Sequence, residues 1–135
     1  EGQAAPDFTL SDPEGETYSL ADFHGQVVAL TFWNSGCRYC LWELSLLDTL
    51  QREEEGEVVV LAVNIGDSAA TVAELWEQEG YETIALLDDG TIAAEYLVWP
   101  IPDNLIIDDQ GVITFRSPGL LPLEELRRAV AEARE

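Results

Sequence analysis

Cys37 and Cys40 are the residues of this sequence whose type and spacing point most clearly to chemistry, and they are its only cysteines. They follow an apolar run over residues 27–33, which predicts a buried strand, and they precede residues 41–47, whose pattern predicts a helix. A strand that leads into C-x-x-C at the start of a helix is typical of a redox dithiol. We therefore expect the pair to alternate between two thiols and a disulfide.

The predicted helix gives the two cysteines different roles. The first turn of a helix has unpaired backbone N–H groups and a positive dipole end, so a thiolate at Cys37 is stabilised near neutral pH. Cys40 lies one turn further along, near enough to attack a mixed disulfide formed on Cys37. We expect Cys37 to attack a substrate disulfide and Cys40 to resolve the intermediate.

Two other uses of the cysteines stay open at this point. A structural disulfide between residues so close in sequence closes a very small loop and constrains the unfolded chain little. Half of a zinc site is the second alternative, but zinc takes about four ligands and His24, which we place at the surface, is the only histidine. Both alternatives rank below the redox pair, and no metal is expected.

Length and composition predict one domain over residues 1–135, because 47% of the residues are apolar and can form a sizeable core. No apolar run approaches the length of a membrane span. The sequence begins at Glu1 and contains no Met, which we take as the sign of a trimmed chain. The absence of a leader or an anchor in it therefore says nothing about the compartment.

The charge balance excludes some partners. The chain has 27 acidic residues against six Arg and no Lys, with a formal net charge of −21. Such a field repels phosphate backbones and anionic membrane surfaces, so we expect no nucleic-acid partner. Cationic partners are favoured instead. The alternative is an adaptation to high salt, because a halophilic or saline source would explain abundant Asp and Glu without Lys.

The remaining segments predict an α/β protein with a mixed sheet. Strands and helices alternate after the cysteines, which favours parallel strands, and a turn with Gly111 joins two strands that form an antiparallel hairpin. The predicted elements are a hairpin at 8–10 and 17–20, a helical turn at 21–25, strands at 57–64, 84–87, 105–108 and 112–116, a helix capped by Asp67 and Ser68 that ends at Gly80, a short helix at 92–96, and a helix from Pro122.

Three motifs, in this order and spacing, resemble the thioredoxin superfamily. They are residues 5–10 with the segment that follows to residue 28, residues 32–40, and residues 101–111. The resemblance is closest to the extracytoplasmic TlpA/ResA-type thiol-disulfide oxidoreductases, which share an AhpC/TSA-like outline with the peroxiredoxins. It covers nearly the whole chain and implies a thioredoxin-like fold, with a central mixed β-sheet flanked by helices and an N-terminal β-hairpin extension.

The resemblance implies further site residues. It implies a cis peptide bond at Ile101-Pro102 beside the first cysteine, where the backbone can hold an extended substrate strand, and Pro100 is the rival for that role. Trp99 and Tyr39 are candidates for an apolar rim that binds the substrate. Glu43 matches the pattern C-x-x-C-x-x-E, and if its carboxyl faces inward it can carry the proton that leaves Cys40.

Departures from the family pattern are expected to tune the redox potential. Arg38 and Tyr39 replace the frequent Gly-Pro or Pro-Pro, and a cation beside Cys37 favours the thiolate. Asp103 stands where a threonine is common and acts in the opposite sense if it points at Cys37. Thr31 stands where cytoplasmic thioredoxins have a buried aspartate, which shifts any proton relay towards Glu43.

The predicted function is thiol-disulfide exchange with protein substrates, in the reducing direction, as in cytochrome c maturation. The resemblance implies no metal or organic cofactor, a membrane-bound thiol reductant, and a location in the periplasm or on the outer face of a membrane, with or without an anchor. A monomer is the default expectation for a chain this charged. A thiol peroxidase is the alternative, although Asn34 replaces the Thr expected there. A Sco-like copper module ranks lower, because the cysteine spacing differs and no histidine follows.

Overall fold

Strand β3, Val27–Trp33, forms the centre of the molecule, and all seven of its residues are buried. The computed structural model describes residues 2–98 and 100–135. β3 pairs in parallel with β4, Val58–Ile65, and antiparallel with β6, Asp103–Ile107. A strand covered on both faces is expected to be apolar throughout, which explains its unbroken run of apolar residues and one threonine.

The sheet has seven strands in the order β2-β1-β5-β4-β3-β6-β7. The strands not yet named are β1, Thr9–Ser11, β2, Thr17–Ser19, β5, Ile84–Asp88, and β7, Ile113–Pro118. β4 and β5 are parallel, whereas β1 pairs antiparallel with β2 and β6 with β7. The predicted mixed sheet and N-terminal hairpin extension are confirmed, and the hairpin lies at one edge of the sheet.

The helices cover the two faces of the sheet unequally. Three pack on the face to which Ala29 and Trp33 point, namely α1, Arg38–Glu53, α2, Ala69–Glu79, and α4, Leu123–Ala133. The opposite face, with Leu30 and Phe32, is covered by α3, Thr91–Glu95, by a 3-10 helix at Leu20–Phe23 and by the N-terminal segment. Among the described residues, none of the helices combines the length and the apolar composition of a membrane span.

Several element boundaries differ from the sequence-based expectation by one or two residues, and two of these differences bear on the site. α1 begins at Arg38, so that Cys37 is its N-cap and Cys40 lies in its first turn. β6 begins at Asp103, two residues earlier than predicted, because Asp103 and Asn104 pair with Phe32 and Thr31 of β3. Backbone pairing with a central strand thus brings two polar residues into the sheet next to the cysteine helix.

Candidate active site

The two cysteines lie where β3 leads into α1, and a disulfide joins them with a Cα–Cα distance of 5.2 Å. Cys40 is buried, with 2% of its surface exposed, whereas Cys37 is half-buried. The backbone N–H of Cys40 donates to Cys37 Sγ at 3.2 Å. This is the helix N-terminus interaction expected to stabilise a thiolate. The exposure difference supports Cys37 as the attacking sulfur, which stays a prediction.

The turn before Cys37 is held by hydrogen bonds to the backbone of β4 and to a side chain of the loop that follows β4. Asn34 Nδ2 donates to the carbonyl of Ile65 at 2.7 Å, and Asn34 Oδ1 accepts from the N–H of Gly36 at 2.9 Å. The N–H of Ser35 donates to Asp67 Oδ2 at 2.8 Å, and the Ser35 hydroxyl lies 2.9 Å from Oδ1. The disulfide loop is therefore fixed to the neighbouring parallel strand.

Asp67 has a role that the sequence did not indicate. Ser68 alone caps α2, through a bond from the N–H of Thr71, whereas the Asp67 carboxylate binds Ser35 and accepts from Asn64 Nδ2 at 2.8 Å. Burial acts to raise the pKa of Asp67, but the hydrogen bonds from Asn64 and Ser35 outweigh it and the pKa is lowered. Asp67 is thus an anion that anchors the turn before Cys37.

Glu43 faces the interior and is 1% exposed. Its Oε2 accepts from Asn104 Nδ2 at 3.0 Å and from the backbone N–H of Leu121 at 2.8 Å. Its Oε1 has no hydrogen-bond partner among the described residues. One turn after Cys40, the structure therefore places a buried carboxyl group with one oxygen bound and the other without a partner in the described part of the chain.

Burial raises the pKa of Glu43 to about 7, against the opposing effect of the N–H of Leu121 and the Asn104 amide. The Thr31 side chain also acts to lower it, although no hydrogen bond from Thr31 to Oε1 meets ordinary distance and angle limits. A pKa near neutrality suits a group that takes up and returns a proton at working pH. The catalytic role of Glu43 stays a prediction that this geometry supports.

The expected cis bond is present at Ile101-Pro102. Ile101 lines a groove of about 560 Å³ that also contains Cys37. The other lining residues are mostly small or apolar: Asn34, Gly36, Ile65, Gly90, Ala93, Ala94 and Val98. An apolar groove beside the half-buried sulfur can accept an extended polypeptide. Trp99, predicted to bind substrate, lies outside the described residues.

The three residues expected to tune the potential are placed differently. Asp103 is buried and its carboxylate pairs with Arg116, with Nη2 to Oδ2 at 2.6 Å and Nε to Oδ1 at 3.4 Å. The expected influence of Asp103 on Cys37 is therefore countered by a cation that the sequence did not single out. Arg38 and Tyr39 are exposed, and Arg38 forms no ion pair within the part of the chain that the structure describes.

The described residues contain no group of three or more His, Cys, Asp or Glu side chains that could hold a metal ion. The redox-active group is the cysteine pair itself. A thioredoxin-like sheet with a C-x-x-C disulfide at the start of a helix and a cis-proline beside it defines a thiol-disulfide oxidoreductase.

Comparison with known sequences agrees with this class. The sequence model of the AhpC/TSA family matches residues 2–116, and the chain belongs to this family. It is 33% identical to the thioredoxin-like protein YneN of Bacillus subtilis over 131 residues, covering 95% of this chain and 77% of the relative. It is 32% identical to the thiol-disulfide oxidoreductase ResA of Geobacillus thermodenitrificans, with 94% and 74% covered.

Comparison with solved structures confirms the fold. A thiol:disulfide interchange protein DsbE from Chlorobium tepidum superposes with a TM-score of 0.91 at 28% identity, covering 98% of this chain and 96% of the other. The exposed lipoprotein thioredoxin Etrx1 of Streptococcus pneumoniae gives a TM-score of 0.83 at 29% identity, with 94% and 99% covered. The predicted thioredoxin-like fold and TlpA/ResA-type resemblance are confirmed.

Proposed function

We propose that this oxidoreductase works as a reductase of protein disulfides outside the cytoplasm, in a role of the cytochrome c maturation type. The observation that carries the proposal is the half-buried Cys37 sulfur at the N-terminus of α1, which opens on an apolar groove beside the cis-proline. ResA and DsbE, the names of a similar protein and a similar structure, support the reaction class.

The proposed reaction is a two-step exchange. The Cys37 thiolate attacks one sulfur of a substrate disulfide, so that a mixed disulfide forms and the other substrate sulfur leaves as a thiolate. Cys40 passes its proton to Glu43 and attacks the Cys37 sulfur, which releases the second substrate thiolate. The substrate gains two electrons and, with protons from Glu43 and water, becomes a dithiol. The protein is left with the Cys37–Cys40 disulfide.

The substrate is proposed to lie along the groove as an extended strand. Ile101 and Pro102 would contribute backbone beside the substrate cysteine, and Trp99 would add an apolar contact at the rim. A peptide that binds as an extended strand usually forms hydrogen bonds with a free backbone edge and places its apolar side chains in adjacent pockets. Tyr39, which is 59% exposed on α1, would extend the same rim.

Three further features belong to the proposal. A membrane-bound thiol reductant would return electrons to Cys37, the chain would act as a monomer, and the full-length protein would stand in the periplasm or on the outer face of a membrane. The structural similarity to Etrx1, described as an exposed lipoprotein, supports this location. The formal net charge of −21 disfavours self-association by repulsion and so supports the monomer.

The test is the reduction potential of the Cys37/Cys40 pair, measured in glutathione or dithiothreitol buffers. Trp33 packs in the same apolar cluster as Cys40, so tryptophan fluorescence can report the transition. A potential near or below about −250 mV, in the thioredoxin range, supports a reductase. A value near about −120 mV, in the range of strong oxidants, would replace the reductase with an oxidase.

Two variants complete the test. Cys40→Ser should trap a mixed disulfide between Cys37 and a disulfide peptide, whereas Cys37→Ser should trap none. If the unaltered protein showed no reversible redox transition in these buffers, thiol-disulfide exchange would be contradicted. Consumption of hydrogen peroxide faster than peptide reduction, and dependent on Cys37, would favour the thiol peroxidase.

A further inference from the structure

Asn104 on β6 is a buried polar residue, 2% exposed, in direct contact with Glu43. Its Nδ2 donates to Glu43 Oε2 at 3.0 Å, and it also faces the backbone carbonyls of Gly119, at 3.0 Å, and Ser117, at 3.5 Å. Because these carbonyls can only accept, the amide nitrogen must point towards them. The orientation of the amide is therefore set by the end of β7 and the first residue of the loop that follows it.

The same contacts distinguish the two oxygens of Glu43. Oε2 receives two hydrogen bonds, from Asn104 Nδ2 and from the backbone N–H of Leu121 at 2.8 Å. Both groups are donors only, so Oε2 acts as an acceptor whether Glu43 is charged or neutral. Oε1 has no partner within the described ranges. The proton of neutral Glu43 therefore resides on Oε1.

We propose that Asn104 is a positioning residue for the thiol-disulfide exchange, holding Oε2 so that Glu43 takes and returns its proton through Oε1. This inference rests on the proposed function. In the step concerned, the Cys40 S–H gives its proton to ionised Glu43, and the resulting thiolate donates its electron pair to the Cys37 sulfur of the mixed disulfide. The electron pair of the broken bond leaves on the substrate sulfur, and Glu43 later releases its proton to that thiolate or to water.

Few polar groups surround Glu43, so Asn104 is one of a small number of residues that can set the Glu43 pKa. α1 contributes Glu43 itself, β3 contributes Thr31, β6 contributes Asn104, and the loop before α4 contributes the N–H of Leu121. None of the causes that set the Glu43 pKa is a charged side chain. Hydrogen bonds to the ionised form lower a carboxyl pKa, so loss of the Asn104 donor should raise it.

The experiment measures how the chemically reduced protein reduces a disulfide peptide in a single turnover, as a function of pH. The rate should rise with pH as Glu43 ionises and becomes able to accept a proton. In Asn104→Ala, and in Asn104→Val, whose β-branched side chain suits a strand, the midpoint should move upward by about one pH unit. In the Glu43→Gln background the same substitutions should leave the pH profile unchanged.

A matched control separates this role from general destabilisation. Ile106→Val removes a methylene from the same face of the same strand, where Ile106 packs in the core between α1 and α4. It should lower thermal stability without moving the midpoint. A midpoint that stays in place in folded Asn104 variants, or that moves equally in the Glu43→Gln background, would overturn the proposal.

A second measurement needs no substitution at Asn104. The side-chain amide protons of Asn104, followed by 15N–1H NMR in the unaltered protein, should titrate with the pKa of Glu43 and cease to titrate in Glu43→Gln. A pH-independent signal in the unaltered protein contradicts the contact that carries the inference. Failure of the reduced protein to reduce the peptide at any pH would instead contradict the proposed function, whatever the NMR titration shows.

Discussion

The burial of Glu43 lowers the stability of the folded protein by an amount that depends on pH, because burial disfavours the charged form of the side chain. Its folded-state pKa of about 7 lies above the ordinary value of 4.5 for a glutamate side chain. The folded protein therefore binds more protons than the unfolded chain between these values, and stability falls as pH rises through this window. Below pH 4.5 Glu43 is mostly neutral in both states and causes almost no loss of stability. Above the upper value the loss amounts to ~3 kcal/mol.

Glu43→Gln should consequently stabilise the oxidised protein at pH 8 relative to the unaltered protein, and should lose that advantage at pH 4. The amide keeps the size of the side chain and removes the charge. Urea unfolding of both proteins at the two pH values gives the comparison, in which the repulsion among the other acidic residues cancels. An equal difference at both pH values would mean that Glu43 does not titrate in the window stated.

Arg38 stands next to Cys37 and its charge is not engaged in an ion pair with the described residues. A cation near the thiolate stabilises the reduced form and raises the potential. Arg38→Gln should therefore make the pair more reducing, by about 10–20 mV at low ionic strength, and the shift should shrink in 1 M salt. Arg128→Gln is the control, since Arg128 is exposed on α4 and pairs with Glu125. An equal shift in the two variants would exclude a local effect.

At the scale of elements, the turn before Cys37 and the start of α2 depend on adjacent residues with separable functions. Asp67 accepts from the N–H of Ser35, and Ser68 accepts from the N–H of Thr71 at 3.1 Å. Asp67→Ala should accelerate amide hydrogen exchange at Ser35, whereas Ser68→Ala should accelerate it at Thr71. Ser68→Ala should also cost about 1 kcal/mol, the usual value of a helix cap. If each variant exchanged faster at both amides, Asp67 and Ser68 would not be stabilising the two segments independently.

The elements themselves could be predicted largely from local patterns. The strand at 27–33, the helix limits at Ser68 and Gly80, and the N-terminal hairpin follow from apolar runs, caps and turn residues, and the structure confirms them. The cysteine pair could be placed as well, because it depends on spacing within one helix. Such features require no knowledge of how distant segments pair. The direction in which Glu43 faces stayed open in the sequence and is shown only by its burial in the structure.

The partners of the site residues could not be predicted, because they come from distant parts of the chain. Arg116 reaches Asp103 across the β6–β7 pair, and Asn104 reaches Glu43 from 61 residues away. Asp67 approaches Ser35 only because β3 and β4 lie side by side. Strand register and a two-residue extension of β6 decided these contacts, and neither leaves a signal in a single sequence.

At the scale of the whole molecule, the main physical feature is the formal net charge of −21, which creates repulsion in the folded state. Five of the six arginines form ion pairs in the described part of the chain: Arg52, Arg116, Arg127, Arg128 and Arg134. Several of these pairs link α1 or the residue after it to other elements, such as Arg127 with Glu53 and Arg134 with Glu54. Most acidic side chains of the described residues have no such partner, so the folded state holds many like charges close together.

Added salt should therefore stabilise this protein. Screening shortens the Debye length from about 30 Å at 0.01 M to about 10 Å at 0.1 M and 3 Å at 1 M, so repulsion across the surface weakens over this range. We expect the thermal midpoint of the oxidised protein to rise steeply between 0.01 and 0.3 M NaCl and more slowly above. The exposed ion pairs oppose this trend, but exposed pairs contribute little and are outnumbered by unpaired carboxylates.

The comparison at pH 4.5 separates screening from a general salt effect on protein surfaces. At that pH many carboxyl groups are neutral, so the rise at low salt should diminish, whereas stabilisation by excluded salts at molar concentration would persist. A thermal midpoint that is independent of NaCl below 0.3 M at pH 8 would mean that repulsion among the surface carboxylates does not destabilise the folded protein. A midpoint that continues to rise beyond 2 M at pH 8 but not at pH 4.5 would favour adaptation to a saline environment, the interpretation that the absence of Lys first suggested.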